Sequence, residues 1–389
     1  MQQVWMLSAT QALCMSGSFL FFLLGGIIGS ALAPSPGLAT LPVSVLILGV
    51  AAGVIPAGAL IRRFGRRAVF AGSALLAAAG CVAAGAAVAG SSFIAFCAAA
   101  FVTGANNAVV MQYRFAAVEY VEPGRASRAI AVVLSGALAA ALIGPEVAVR
   151  AADWVLSAPD AGSFYAGAGL YLLAALLLSQ LSGAAPAAAA DATEPPRRLA
   201  EIAAQPQFRV AVLAALVSYA AMSFIMTATP VSMHVVDGHD ELATARVIQA
   251  HLLGMYLPSL ASGWIIARFG DRPVIAAGSL LMIVCIAVAA YAGREVLHYF
   301  WALALLGVGW NFMFIAATTL LTRSYRPGER IQAQTLNDFL VFAAQAVASL
   351  AAGAALATMG WARLNLAALP AVIAVLAALA FTTTRTRTS

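Results

Sequence analysis

Apolar stretches of about twenty residues or more recur twelve times along this chain, parted by short breaks that carry most of its arginines. No other feature restricts the fold as severely. An α-helix rises about 1.5 Å per residue, so roughly 20 apolar residues cross the roughly 30 Å hydrocarbon core of a bilayer. In that medium every backbone amide must be bonded internally, which for runs of this length means helix. Of 389 residues, 63% are hydrophobic and 9% charged, whereas a soluble domain carries roughly a quarter charged residues. The expectation is an all-α protein that crosses a membrane many times.

The first six spans are expected near 5–31, 40–61, 67–89, 92–115, 126–149 and 163–182. The second six are expected near 208–236, 243–267, 273–292, 297–321, 333–358 and 362–381. The apolar stretch Leu7 to Ala31 is long enough to be a first span rather than a cleaved leader. Residues 184–206, rich in Ala and Pro and carrying Asp191, Glu194, Arg197 and Arg198, read as a linker. The expected domains are therefore a bundle at 1–183, the linker at 184–206 and a second bundle at 207–389.

Every basic residue is arginine, and the formal net charge is +6. In this layout 17 arginines fall on one side of the membrane and 4 on the other: Arg150, Arg246, Arg294 and Arg363. Positive charge is retained in the cytoplasm, so both termini and the linker are expected there, in the inner membrane of a bacterium. Basic clusters set between apolar runs indicate topology and contact with lipid, with no nucleic-acid partner. Cys14, Cys81, Cys97 and Cys285 lie in apolar runs without disulfide or CxxC spacing and read as small core residues.

The halves repeat. After span 2 comes Gly58-Ala-Leu-Ile-Arg62-Arg63-Phe-Gly65-Arg66-Arg67, and after span 8 comes Gly263-Trp-Ile-Ile-Ala267-Arg268-Phe-Gly270-Asp271-Arg272. Both resemble the loop motif of the major facilitator superfamily, a glycine followed by acid-Arg-x-Gly-Arg-Arg. The acidic position is Arg62 in one half and Ala267 in the other, which puts the charge-relay role of that acid in doubt. The resemblance implies the major facilitator fold: 12 transmembrane helices in two pseudo-symmetric six-helix bundles, with substrate near the bilayer midplane and alternating access around it.

Polar and ligating side chains inside spans mark function. Span 7 holds Met222 and Met226, and span 8 holds His251 and Met255. Residues four apart share a helix face, so each helix presents a column of soft or borderline donors suited to Cu(I). Such pairs also arise by chance, at roughly 0.3 MxxxM and roughly 0.1 HxxxM per chain of this make-up, and methionine is an ordinary packing residue. The pairing resembles the CcoA-like copper importers of the same superfamily. That resemblance implies copper import supplying a cbb₃-type haem–copper oxidase, with Met222, Met226, His251 and Met255 as ligands. Copper would then be substrate rather than resident cofactor, of which none is expected, and a cytoplasmic copper chaperone becomes a candidate partner. His251 would be a candidate for coupling to protons, since only the neutral imidazole ligates.

Around this set, Met233, His234 and His239, with Asp237, Asp240 and Glu241, form a candidate recruiting funnel for cations at the outer end of span 7. As an exposed loop the same residues are a solvated turn. Glu146 in a Gly144-Pro145-Glu146 sequence and Asp338 in span 11 are candidates for proton coupling. For Asp338 the plainer reading is an acid favoured near a helix start. Span 4 carries Asn106, Asn107, Gln112 and Tyr113, and span 11 carries Gln334, Asn337 and Gln345. Hydrogen bonding between helices explains such amides equally well.

No GxxxxGK[ST] loop occurs, and no lysine exists to complete one, which speaks against ATP-driven transport. No GxSxG or HExxH spacing points to an enzyme. Two readings stand beside copper. Riboflavin transporters form a related branch of the superfamily, and a flavin or drug pocket would draw on Phe224, Tyr256, Trp310 and Phe312 with the amides of spans 4 and 11. A sensor or assembly factor that uses the fold without transport is the third.

Overall fold

The computed structural model describes residues 1–122, 125–182 and 197–385. Gly183, residues 184–196 of the expected linker and Arg387 lie outside that set. The described residues form thirteen α-helices joined by short 3₁₀ and π turns. They are α1 (Gln2–Leu32), α2 (Leu41–Ala89), α3 (Phe93–Val110), α4 (Tyr113–Glu119), α5 (Ala126–Ala151), α6 (Ala161–Leu178), α7 (Leu199–Ala204), α8 (Pro206–Pro230), α9 (Glu241–Tyr256), α10 (Ser259–Phe269), α11 (Asp271–Tyr291), α12 (Val296–Thr322) and α13 (Arg330–Arg385).

Among the described residues nine helical stretches are long and apolar enough to cross a membrane, and the bent pair α9–α10 makes a tenth. Two of the nine are too long for one crossing. The 49 residues of α2 and the 56 of α13 would reach about 74 and 84 Å at about 1.5 Å per residue. Each contains one non-helical residue, Gly65 (φ 79°, ψ 161°) and Gly360 (φ 73°, ψ 174°). Only glycine takes that conformation without a Cβ penalty. Gly65 and Gly360 therefore break α2 and α13 each into two shorter helical stretches. The 42° bend between α9 and α10 falls at Pro258, which has no N–H to continue the ladder.

The chain packs into two compact units: Met1–Ala187 with Thr227–Gln249, and Ala188–Met226 with Ala250–Ser389. The chain thus changes unit inside α8 and again inside α9. Each unit is held by backbone-to-backbone approach at glycines. In the first, a Cβ on Gly49 would stand 2.2 Å from the Phe101 carbonyl oxygen, and one on Gly104 2.0 Å from that of Leu46, so α2 and α3 touch along their main chains. In the second, a Cβ on Gly307 would stand 2.3 Å from the His251 oxygen, and one on Gly254 2.8 Å from that of Ala304, which places α9 on α12 in the same way. Without hydrophobic drive between helices in lipid, such close packing supplies the dispersion contact that holds them.

These contacts put the repeat in register. Gly49, Gly58, Gly65 and Arg66 correspond to Gly254, Gly263, Gly270 and Asp271, each 205 residues on. Gly270 adopts φ 86°, ψ 162°, close to Gly65. The residue after each of these glycines is anchored to the end of a later helix. Arg66 donates from Nε to Glu119 Oε2 at 2.8 Å, with a second bond from Nη2 to Oε1. Asp271, 3% exposed, pairs with Arg323 Nη1 at 3.1 Å. The clamp is conserved between halves and its charges are exchanged. Arg62 and Arg63 are exposed, and Arg63 lies over the Phe64 ring at 5.2 Å.

A second clasp fixes the start of α7. Glu329 is fully buried and accepts bonds from the Arg197 backbone N (2.9 Å), Arg197 Nε (2.7 Å), Arg197 Nη2 (2.6 Å) and the Arg326 backbone N (2.9 Å). The guanidinium holds the Glu329 carboxyl down at about 2.

Candidate functional site

The second unit contains five aromatic rings gathered from four helices. Tyr219 of α8 is the hub. Its ring meets Trp310 edge-on at 5.1 Å, Phe314 edge-on at 4.8 Å and Phe342 of α13 at 5.9 Å. Trp310 and Phe314, one turn apart on α12, lie nearly parallel at 17° and 5.2 Å. Tyr256 of α9 closes the group at 6.5 Å from Trp310. Edge-to-face and offset arrangements at these distances are each favourable by about 0.5–1.5 kcal/mol beyond burial.

Trp310 is 5% exposed and the other four rings are partly exposed. Its Nε1–H is buried without a hydrogen-bond partner. A buried indole N–H ordinarily finds an acceptor, so an orphaned one beside partly exposed ring faces makes this cluster a candidate ligand site. A flat heteroaromatic ligand bearing carbonyl groups suits this surface: the faces stack and the N–H donates.

Helical periodicity explains which aromatics the sequence exposed and which it hid. Tyr256 and Trp310 were expected in an organic-ligand pocket. Phe312 lies two residues from Trp310, about 200° around the helix, whereas Phe314 lies four residues on and returns to the same face. Phe224 is likewise turned about 140° from Tyr219. Neither belongs to the cluster. Tyr219, Phe314 and Phe342 went unrecognised, although each stands three or four residues from a residue already singled out: Met222, Trp310 and Asp338.

The proposed ligand set is placed as follows. Met222 and Met226 are each 4% exposed and stand three and seven residues along α8 from Tyr219, on its face. His251 is fully buried, with Nδ1 3.0 Å from the Leu303 carbonyl of α12 and Nε2 without a partner. Met255 is 7% exposed, and its carbonyl accepts from Asn311 Nδ2 at 2.6 Å. Asn311 also donates to Ser259 Oγ and accepts from Ser262 Oγ. It serves the backbone oxygen that the bend at Pro258 leaves over, as expected of an interhelical amide. Met233 is fully buried in the π turn Val231–Val236. That turn is closed by His234 Nδ1, 2.9 Å from the His239 carbonyl.

Glu146 is bound through both oxygens, to Arg150 Nε at 2.8 Å and Arg246 Nη1 at 2.7 Å. Asp338 is exposed, and Asn337 Nδ2 donates to its Oδ1 at 3.0 Å. The first unit holds a separate cavity of about 420 Å³ between the two parts of α2 and α3, lined almost wholly by apolar groups. Its main polar feature is the buried Asn106 amide, 2% exposed, which lies near Cys14 and Tyr171.

Residues 6–256 match the profile of the Major Facilitator Superfamily. The riboflavin transporter RfnT of Brucella anthropi is 40% identical over 378 residues, which is 96% of this chain and 94% of that protein. An uncharacterized MFS-type transporter of Bacillus subtilis, YdeG, is 29% identical over 350 residues, 86% of this chain and 80% of the relative. Among solved structures, a bacterial homolog of the human lysosomal transporter Spinster, inward-facing and occupied, superposes with TM-score 0.72 at 16% identity, covering 99% and 96% of the two chains. The nucleoside transporter NupG does so with TM-score 0.73 at 14% identity, covering 98% of each. These two share the fold.

The copper expectation is corrected by these findings. A relative matching nearly the whole chain is a transporter of riboflavin, an organic molecule that does not need soft metal ligands. The oxidase-supply role falls with it, and the copper chaperone, inferred only from copper import, has no independent support. The methionine columns have an ordinary explanation in packing beside the ring cluster.

Proposed function

This chain belongs to the Major Facilitator Superfamily, and from that premise we propose that it is a secondary transporter of riboflavin, taking the vitamin up across the inner membrane of a bacterium. The observation that carries the reading is the Tyr219–Tyr256–Trp310–Phe314–Phe342 cluster with its buried, unpartnered indole N–H. Riboflavin joins a flat isoalloxazine ring, with two carbonyl groups at one end, to a flexible polyol. The ring supplies the π face for stacking and a carbonyl accepts from Trp310 Nε1. Similarity to RfnT over 96% of the chain supports the same cargo.

The 17 to 4 division of arginines supports cytoplasmic termini. Transport is by alternating access of the two halves, with lipid as the surrounding partner. No nucleotide-binding loop is available to drive it, and proton coupling through Glu146 or Asp338 belongs to this proposal. Expression in a riboflavin auxotroph tests the cargo. Growth at limiting riboflavin should be rescued by the wild-type chain and not by Trp310→Ala present at equal membrane abundance. No rescue by the wild type would overturn the reading.

A further inference from the structure

The cavity between the two parts of α2 lies wholly within the first unit, and the flavin reading leaves it unused. Its walls are Pro56, Leu60 and Phe64 of the stretch before Gly65, and Gly72 and Leu76 of the stretch after it, with α3 behind. Gly53 and Leu76, the lining residues farthest along the two stretches, stand twelve and eleven residues from Gly65. At about 1.5 Å per residue the groove runs about 17 Å from the turn, close to the depth of one leaflet of a roughly 30 Å core. Leu60, Phe64 and Leu76 are exposed along it. Its polar groups are engaged elsewhere: the Ser73 hydroxyl donates to the Phe70 carbonyl at 3.0 Å, and the Asn106 amide lies by Cys14 and Tyr171. An apolar chain reaching in from the turn is the occupant such a trough suits.

The mouth of the groove is basic. Arg62, Arg63 and Arg67 flank the turn, and all three are exposed. Among the described residues none of them forms an ion pair, since Glu119 is taken by Arg66. Arg63 follows Leu60 by three residues and Pro56 by seven, which sets it on the lining face. Its guanidinium rests 5.2 Å from the ring of Phe64, itself a wall of the groove. A Cβ on Gly58 would stand 3.7 Å from Arg62 Nη1, so that guanidinium folds back one turn along α2, level with Leu60. We propose that this groove docks an acyl chain of an anionic phospholipid from the leaflet on the arginine-rich side, with the lipid phosphate held by Arg62 and Arg63. Guanidinium suits phosphate as a charge-assisted, two-pronged donor, and basic pockets between spans take anionic headgroups. A zwitterionic headgroup brings a cation with its phosphate, which the same arginines repel. The inference holds whatever the cargo of the transporter.

The test is native mass spectrometry of the purified full chain in detergent, titrated with phosphatidylglycerol or with phosphatidylcholine of the same acyl chains. Wild type should take up one phosphatidylglycerol at a concentration roughly thirtyfold below that needed for phosphatidylcholine, the attraction of two guanidiniums near an anionic headgroup. Arg62→Gln with Arg63→Gln should bring the two lipids within about threefold of each other. Arg268→Gln with Arg272→Gln makes the same charge change at the repeated turn and should leave the preference intact. Gly72 lines the groove and a Cβ there meets nothing within 4 Å. Gly72→Leu therefore fills the trough from an open position, and the tightly held lipid should be lost. That variant also serves should the arginine variant fail to fold. Equal uptake of the two lipids by wild type, as for lipid coating the chain at random, overturns the inference. So does a preference that survives in the Arg62/Arg63 variant, or one that falls as far in the Arg268/Arg272 variant. Tight phosphatidylglycerol retained by folded Gly72→Leu overturns it as well, as does a dimer of the chain that this substitution abolishes, which would give the groove to a second copy.

Discussion

At the scale of single residues, the account turns on an indole N–H with nothing to bond. An unmade bond in a buried place costs about 1–3 kcal/mol, and a ligand carbonyl that completes it recovers that cost. Trp310→Phe keeps a stacking surface and removes the donor. Riboflavin affinity should fall about five- to tenfold in that variant, and about a hundredfold or more in Trp310→Ala, where the ring face is lost as well. Quenching of flavin fluorescence on binding reports both, and equal affinity in Trp310→Phe and wild type would remove the proposed donor. Sequence reasoning reached Trp310 and Tyr256 but weighted the soft donors Met222, Met226, His251 and Met255 more heavily. The spacing of those donors was real, and so was the face they share. What spacing cannot express is which neighbouring helix lies opposite. There, α12 takes His251 into a bond with the Leu303 carbonyl and brings Trp310 and Phe314 to the face of Tyr219.

At the scale of elements, the repeated turn was legible and its charge partners were not. Gly65 and Gly270 could be read as chain-turning residues from the RFG sequences alone, because the left-handed backbone leaves few alternatives. Glu119 and Arg323 lie more than fifty residues from the groups they hold, and no local pattern links them. The exchanged charges carry a prediction. Arg66→Asp should destabilise the protein by about 1–2 kcal/mol, less than a fully buried pair because both side chains keep some exposure. Adding Glu119→Arg should restore most of the loss, since the second half already uses that polarity. Thermal unfolding in detergent measures both, and a double variant no more stable than the single one would deny the equivalence. The Arg197–Glu329 clasp predicts a pH dependence. The folded carboxyl sits at about 2, below an unfolded value of about 4.3. Its stabilisation is therefore complete above the unfolded value and is lost as pH falls from about 4.5 toward 2. Glu329→Gln should flatten the unfolding temperature across that window, and an unchanged slope would contradict the clasp.

At the scale of the whole molecule, apolar run length carried the expectation of a many-helix membrane protein. Twelve stretches were expected; among the described residues nine helical stretches and one bent pair are long and apolar enough to cross, and the two longest are broken at Gly65 and Gly360. Cargo was not legible in the same way. Membrane-crossing helices must be apolar whatever they carry, so cargo is written in a few side chains whose faces are set by packing. The most direct measurement is uptake of labelled riboflavin by proteoliposomes containing only this chain. Wild type should accumulate riboflavin saturably, and Trp310→Ala, reconstituted to the same density, should fall to the level of empty liposomes. Riboflavin flux in wild-type vesicles no greater than in empty ones would contradict the account.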